Sequence, residues 1–142
     1  MNDICQKISR TIGVMSRLKH IIPPTILLTL YNTMILPYIS YCNIIWGNCA
    51  AYLLNRVLIL QKRAIRIINN VPPLTHTDPL YKKFKILKVS DINKLQVAVF
   101  MYSYFKNILP QTFNGLFIFN CAIHSHSTRT CIPKFTFAII QV

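Results

Sequence analysis

Apolar residues recur with a helical period as far as Asn107 and lose that period afterwards. Ile4, Ile8, Ile12, Met15 and Leu18 follow at spacings of four and three, which predicts a helix over 3–19 with one buried face and Asp3 as its N-cap. Lys7, Arg10 and Arg17 fall away from that face, and Pro23-Pro24 stop the helix. Residues 25–46 read as a second helix, with Thr25 as a candidate cap, a kink or break near Leu36 imposed by Pro37, and Gly47 at its end. The cleanest amphipathic helix is predicted over 52–69. Leu54, Val57, Leu58, Ala64, Ile65 and Ile68 project to one side of it, and Arg56, Lys62, Arg63 and Arg66 to the other. Beyond Pro72-Pro73, Thr77-Asp78-Pro79 marks the start of a short helix reaching Phe84 and carrying Lys82, Lys83 and Lys85. Ser90-Asp91 opens a further helix to about Asn107, with Ile92, Leu95, Val99 and Tyr102 on one face.

After Asn114-Gly115 the apolar runs become alternating or continuous, as in Phe117-Ile118-Phe119 and Phe135-Thr136-Phe137. Two short strands or a poorly ordered tail are expected there. The fold class is therefore mainly α: a small helical bundle over 1–110 followed by a short-stranded or poorly ordered segment over 111–142. A chain of 142 residues, 53% of them apolar, is long and apolar enough to bury a sizeable core.

Charge changes the picture. Lys and Arg number 16 against three acids, Asp3, Asp78 and Asp91, for a net charge of +13. Such an excess implies an anionic partner, either nucleic acid or an acidic membrane surface. Lys62, Arg63, Arg66 and Arg56 are the first candidates for phosphate contact, because no acid interleaves with them to relieve their repulsion. Lys7, Arg10 and Arg17 come second. A membrane span is the competing reading of the uncharged stretch from Ile21 to Asn55. Its mean hydropathy over 26–44 is only about +1.2, and Asn32, Thr33, Pro37, Ser40 and Asn43 interrupt it, which favours a buried helical hairpin. The five Cys form no regular framework, and the polar start of the chain does not resemble a signal peptide. Free thiols in a reducing, intracellular compartment, nuclear or cytoplasmic, are expected.

Little else in the chain points to chemistry. Three isolated Asp do not make the carboxylate cluster that a two-metal polymerase or nuclease requires. No nucleophile elbow, glycine-rich phosphate loop or H-E-x-x-H occurs, so no catalytic residue is assigned and no cofactor is expected. Cys121, His124, His126 and Cys131 are all zinc-ligand types, but their spacing matches no common site, and no metal is expected. Tyr31, Tyr38, Tyr41 and Trp46 lie among Ile and Leu, which favours core packing over base stacking.

The linear order of several short elements resembles the segment that follows the catalytic palm in non-LTR (LINE-type, jockey-like) retrotransposon reverse transcriptases. These elements are Lys7-Ile8-Ser9 with Ile12-Gly13, Leu30-Tyr31, Pro37, Tyr41, Trp46-Gly47, and Leu60-Gln61-Lys62-Arg63-Ala64-Ile65-Arg66-Ile67-Ile68. His76-Thr77, Pro79-Leu80, Leu87, Met101-Tyr102, Leu109-Pro110, His126 and Thr128-Arg129 follow in order. The resemblance implies a helical thumb that grips a template–primer duplex. The family's aromatic-Ala-Asp-Asp metal box, its endonuclease and its usual closing Trp-Asn-x-Leu-Pro-like element have no counterpart here. The chain is thus expected to be a truncated, non-catalytic fragment of an RNA-directed DNA polymerase that binds nucleic acid without base readout. The rival expectations are a small membrane-associated protein and a helical protein–protein module.

Overall fold

A computed structural model describes residues 2–113, 117–119 and 135–137. The chain is mainly helical, in the order α1 (Asn2–Leu18), α2 (Pro24–Met34), α3 (Leu36–Ser40), α4 (Asn43–Trp46), α5 (Ala51–Ile68), α6 (Asp78–Phe84) and α7 (Val89–Phe105). A short 3-10 turn spans Gln111–Phe113. Strands β1 (Phe117–Phe119) and β2 (Phe135–Phe137) pair antiparallel, with Ile118 opposite Thr136. The chain divides into two compact units, Met1–Ala98 and Val99–Val142. In the second unit, Phe100 and Phe113 meet edge to face at 5.8 Å, and the β1–β2 pair lies further along the chain.

The first unit is built on α1 and α5. Ile8, Ile12 and Met15 of the predicted α1 face are buried, Ile4 and Leu18 at its ends are half-buried, and Cys5 and Thr11 join the buried line, Thr11 donating its hydroxyl to the Lys7 carbonyl at 3.2 Å. Val57, Gln61, Ala64, Ile65 and Ile68 form the buried line of α5. Leu27, Tyr31, Ile35 and Ile39 complete this core together with Val89 and Ile92 at the start of α7. A smaller cluster of Ile65, Leu80 and Tyr81 seats α6.

The single helix expected over 25–46 is three helices. Pro24, rather than Thr25, sets its start: Pro23 is extended at the cap position and Pro24 occupies the first turn, where its missing N–H costs nothing. The chain leaves regular helix geometry at Ile35, one residue earlier than expected, so that Pro37 falls in the first turn of α3. A second break, unforeseen, comes at Tyr41-Cys42, where Cys42 takes a left-handed conformation with φ 51°.

Helix ends follow a common rule. Asn70, Lys85 and Asn107 stand just past α5, α6 and α7 with φ of 49°, 54° and 52°. At each, two backbone bonds close the last turn, as from Val71 to Arg66 and Asn70 to Ile67. Helix starts are different, because none from α2 to α6 has a side-chain cap of its own. Two are capped from a distance by glutamines. Gln61 Oε1 accepts the Val89 N–H at 3.2 Å at the start of α7, and Gln96 Oε1 accepts the Ile44 N–H at 3.1 Å in α4.

Gln61 is fully buried and uses both ends of its amide. Its Nε2 donates to Tyr31 Oη at 2.9 Å and to the Leu87 carbonyl at 2.8 Å. Its Oε1 also accepts the Tyr81 hydroxyl at 3.2 Å. One side chain thereby joins α2, α5, α6 and the start of α7. Burial pushes the Tyr31 hydroxyl up to about 12, and the Tyr81 hydroxyl is raised for the same reason.

At the α3–α4 corner, Asn93 Nδ2 donates to the Asn43 carbonyl at 3.0 Å and Gln96 Nε2 to the Ser40 carbonyl at 2.7 Å. Gly47 sits beneath this contact. A Cβ there would land on the Asn93 side-chain amide and 2.5 Å from the Asn43 carbonyl, so only glycine fits.

Four outcomes are expected. Gln61→Leu strands three buried groups, on Tyr31, Tyr81 and Val89, together with the part-buried Leu87 carbonyl, and should lower unfolding free energy by about 3 kcal/mol or more in urea melts, since each orphaned buried group costs about 1–3 kcal/mol; a loss under about 1 kcal/mol would contradict the node. Gly47→Ala should destabilise by more than about 1 kcal/mol. Gly13→Ala, with nothing within 4 Å of the new methyl, should be neutral or stabilising by up to about 1 kcal/mol. The buried phenols favour the neutral form in the folded state, so their contribution is complete below the unfolded tyrosine value of 10.0 and is lost as pH rises toward about 12. Alkaline melts of the Tyr31→Phe variant should show a shallower decline over that window than the parent chain.

Candidate nucleic-acid interface

The basic residues of α5 separate into two kinds. Arg66 is half-buried, and its Nε donates to the Thr75 carbonyl at 2.9 Å, tying the end of α5 to the segment before α6. Lys62 is also half-buried and lies close enough to Asp78 to act on it. The hydrogen bond and charge of Lys88, 2.9 Å away, hold the Asp78 carboxyl below the usual range, and Lys62 and His76 add to the effect. The sequence had placed no acid within reach of this stripe. Folding brings one beside Lys62.

Arg56 and Arg63 are exposed on the outer ridge of α5. Arg63 has no hydrogen bond or ion pair among the described residues. Arg56 Nη1 donates to Asn2 Oδ1 at 3.1 Å, which carries its guanidinium across to α1. There it lines an open cleft with Asn2, Cys5, Gln6, Ser9 and Arg10. Two guanidinium groups, two amides and a hydroxyl thus face one shallow concavity. None of these side chains is a carboxylate, and all the polar ones can donate a hydrogen bond. Such a set suits a phosphate oxygen, which accepts from several directions and is favoured by positive charge.

The other α1 candidates are placed differently. Lys7 Nζ sits 5.4 Å from the centre of the Tyr38 ring, a cation–π contact outside the cleft. Arg17 is exposed in the last turn of α1, beside carbonyl groups that a cation complements. The α6 lysines are partly engaged, because Lys83 donates to Asn69 Oδ1 at 3.0 Å and lies over the Phe84 ring.

Residues that sequence reasoning passed over complete this face. Tyr52 and Ile59 are 69% and 55% exposed on the same ridge as Arg56 and Arg63. Their positions were readable from the helical period, since 52, 56, 59 and 63 advance by four, three and four. Asn2, Gln6 and Ser9 were not, because their role depends on how α1 meets α5. The apolar face expected on α7 is buried only at Ile92, whereas Leu95, Val99 and Tyr102 are exposed. Among the described residues no group of His, Cys, Asp or Glu is placed to hold a metal ion, and the Cys121–Cys131 set lies outside those residues. Also among the described residues, no helix is long and apolar enough to cross a membrane.

Arg66→Gln should cost about 1–2 kcal/mol of stability, since it removes a half-buried charged donor from the Thr75 carbonyl. Arg63→Gln should stay within about 0.5 kcal/mol of the parent chain. Equal losses in chemical melts of the two variants would refute the division of the stripe into a strut and a free ridge.

Comparison of the chain with protein-family models, with curated proteins and with solved structures found no match to any of them.

Proposed function

We propose that this chain is a non-catalytic nucleic-acid-binding module that holds phosphate backbone on the face formed by α1 and the outer ridge of α5. The observation that carries the proposal is the convergence of Arg10 and Arg56 on one cleft with hydrogen-bond donors and no carboxylate. It stands on a chain of net charge +13, in which Asp78 and Asp91 pair with Lys88 and Lys94, and the third acid, Asp3 in the first turn of α1, does not line the cleft. The resemblance to the post-catalytic segment of non-LTR retrotransposon reverse transcriptases points the same way and suggests descent from an RNA-directed DNA polymerase. On that reading the module works inside the cell, in nucleus or cytoplasm, grips nucleic acid regardless of base sequence and catalyses nothing itself. The exposed apolar residues of α7, Leu95 foremost, favour a second reading as a helical protein–protein module.

The two readings separate on salt. Each phosphate neutralised releases close to one counterion, so log affinity falls with log salt by about 0.9 per contact on duplex DNA and about 0.7 on a single strand. Replacing Arg10, Arg56 and Arg63 by Gln keeps good helix formers in place. The triple variant should shallow the slope by roughly two to three units and lose affinity alike for all base sequences. A salt-insensitive association, or an unchanged slope in the folded variant, would defeat the proposal and favour the protein–protein reading.

A further inference from the structure

We propose that the nucleic acid held on the α1–α5 face is single-stranded, with Tyr52 as a stacking platform for an unpaired base beside the Arg10–Arg56 phosphate subsite. This rests on the preceding reading of the face and narrows it to a class of ligand. The ridge of α5 alternates ring or aliphatic side chain with guanidinium: Tyr52, Arg56, Ile59, Arg63. Tyr52 stands one helical turn before Arg56, and the phenol is 69% exposed at the start of α5. Arg56 and Arg63 repeat at seven residues, about 10.5 Å along the helix, as do Tyr52 and Ile59.

A duplex presents phosphates outward and encloses its base faces, so it offers Tyr52 and Ile59 nothing that offsets their exposure. A face meant for duplex backbone alone is served by Lys, Arg and small polar residues. An unpaired strand presents phosphates and base faces together, and every base has a π-face, so a ring next to a guanidinium recognises it without reading sequence. The cleft fixes the backbone end of such a contact. Arg56 is anchored by Asn2 at 3.1 Å, Arg10 shares the concavity, and Ser9 and Gln6 supply neutral donors. Tyr52, one helical turn from Arg56 on the same ridge, would then take the base attached to that phosphate.

The test uses the full chain and three labelled probes of one length: oligothymidylate, an abasic single strand with the same backbone, and a blunt DNA duplex. The abasic strand keeps every phosphate and removes every base. The expected result is tighter binding to oligothymidylate than to the abasic strand, by about fivefold to a hundredfold for one stacked base. Tyr52→Ala should erase that preference while leaving abasic and duplex binding unchanged, and Tyr52→Phe, which keeps the ring, should retain it. Arg10→Gln with Arg56→Gln should weaken all three probes and shallow their salt slopes. Equal affinity of the parent chain for oligothymidylate and abasic strand would overturn the inference and leave backbone binding standing. So would a Tyr52→Ala loss shared equally by the duplex. Absence of salt-dependent binding to any of the probes would instead remove the underlying reading, and this inference with it.

Discussion

The fold of the first unit depends on one buried amide. Gln61 lies in the middle of the α5 apolar line, between Val57 and Ala64, where an aliphatic residue would satisfy packing alone. It instead carries four hydrogen bonds to groups twenty or more residues away in sequence. A buried amide of this kind is favourable only when every donor and acceptor is matched, and here both ends are. The arrangement leaves α2, α6 and the start of α7 little choice of position, because each must bring its own polar group to the same point. Gln96 and Asn93 repeat the device at the α3–α4 corner, with Gly47 allowing the approach. Helices without local caps are thus started by side chains that arrive only when the tertiary structure forms, which couples secondary structure to assembly.

This inward use of polar residues determines what remains outside. With Gln61 and the aliphatic residues of α5 turned to the core, Arg56 and Arg63 are directed outward, and the packing of α1 on α5 sets Arg10 across the cleft from Arg56. The half-turn between the outer ridge and the core takes a different role. Lys62 and Arg66 lie there: Arg66 is held by the Thr75 carbonyl in the segment before α6, and Lys62 lies within electrostatic range of Asp78 at the start of α6. A stripe that looks uniform on a helical projection is therefore divided by its neighbours into a strut and an exposed ridge.

Much of this was legible in the amino-acid order. The bounds of α1, α5 and α6 follow from apolar spacing and from Pro23, Pro79 and Asp78, and they agree with the structure to within a residue or two. The uncharged stretch over 25–46 carries one signal for a break, Pro37, and the structure breaks there at Ile35. The break at Tyr41-Cys42 has no glycine or proline to announce it, and the Gln96 bonds that bracket the left-handed Cys42, to Ser40 and Ile44, come from α7 and are contained in no local pattern. On α7, apolar residues occur on nearly all sides, so period alone could not tell the buried Ile92 from the exposed Leu95. Gln61 was visible inside the Leu60-Gln61-Lys62-Arg63 element, yet its partners Tyr31, Tyr81 and Leu87 are remote in sequence. The candidate cleft was half legible: Arg10 and Arg56 stood out as cations, but only the packing of α1 against α5 makes them neighbours.

The proposed contact face for nucleic acid is α1 together with the outer ridge of α5. Residue-resolved NMR of the labelled chain, titrated with a short single strand at low salt, tests it most directly. The account predicts that perturbed backbone and side-chain signals concentrate on Ser9, Arg10, Tyr52, Arg56 and Arg63, with Arg66 and the α6 lysines little changed. Perturbations centred on Lys82, Lys83 and Lys85, or on the exposed residues of α7, would contradict it.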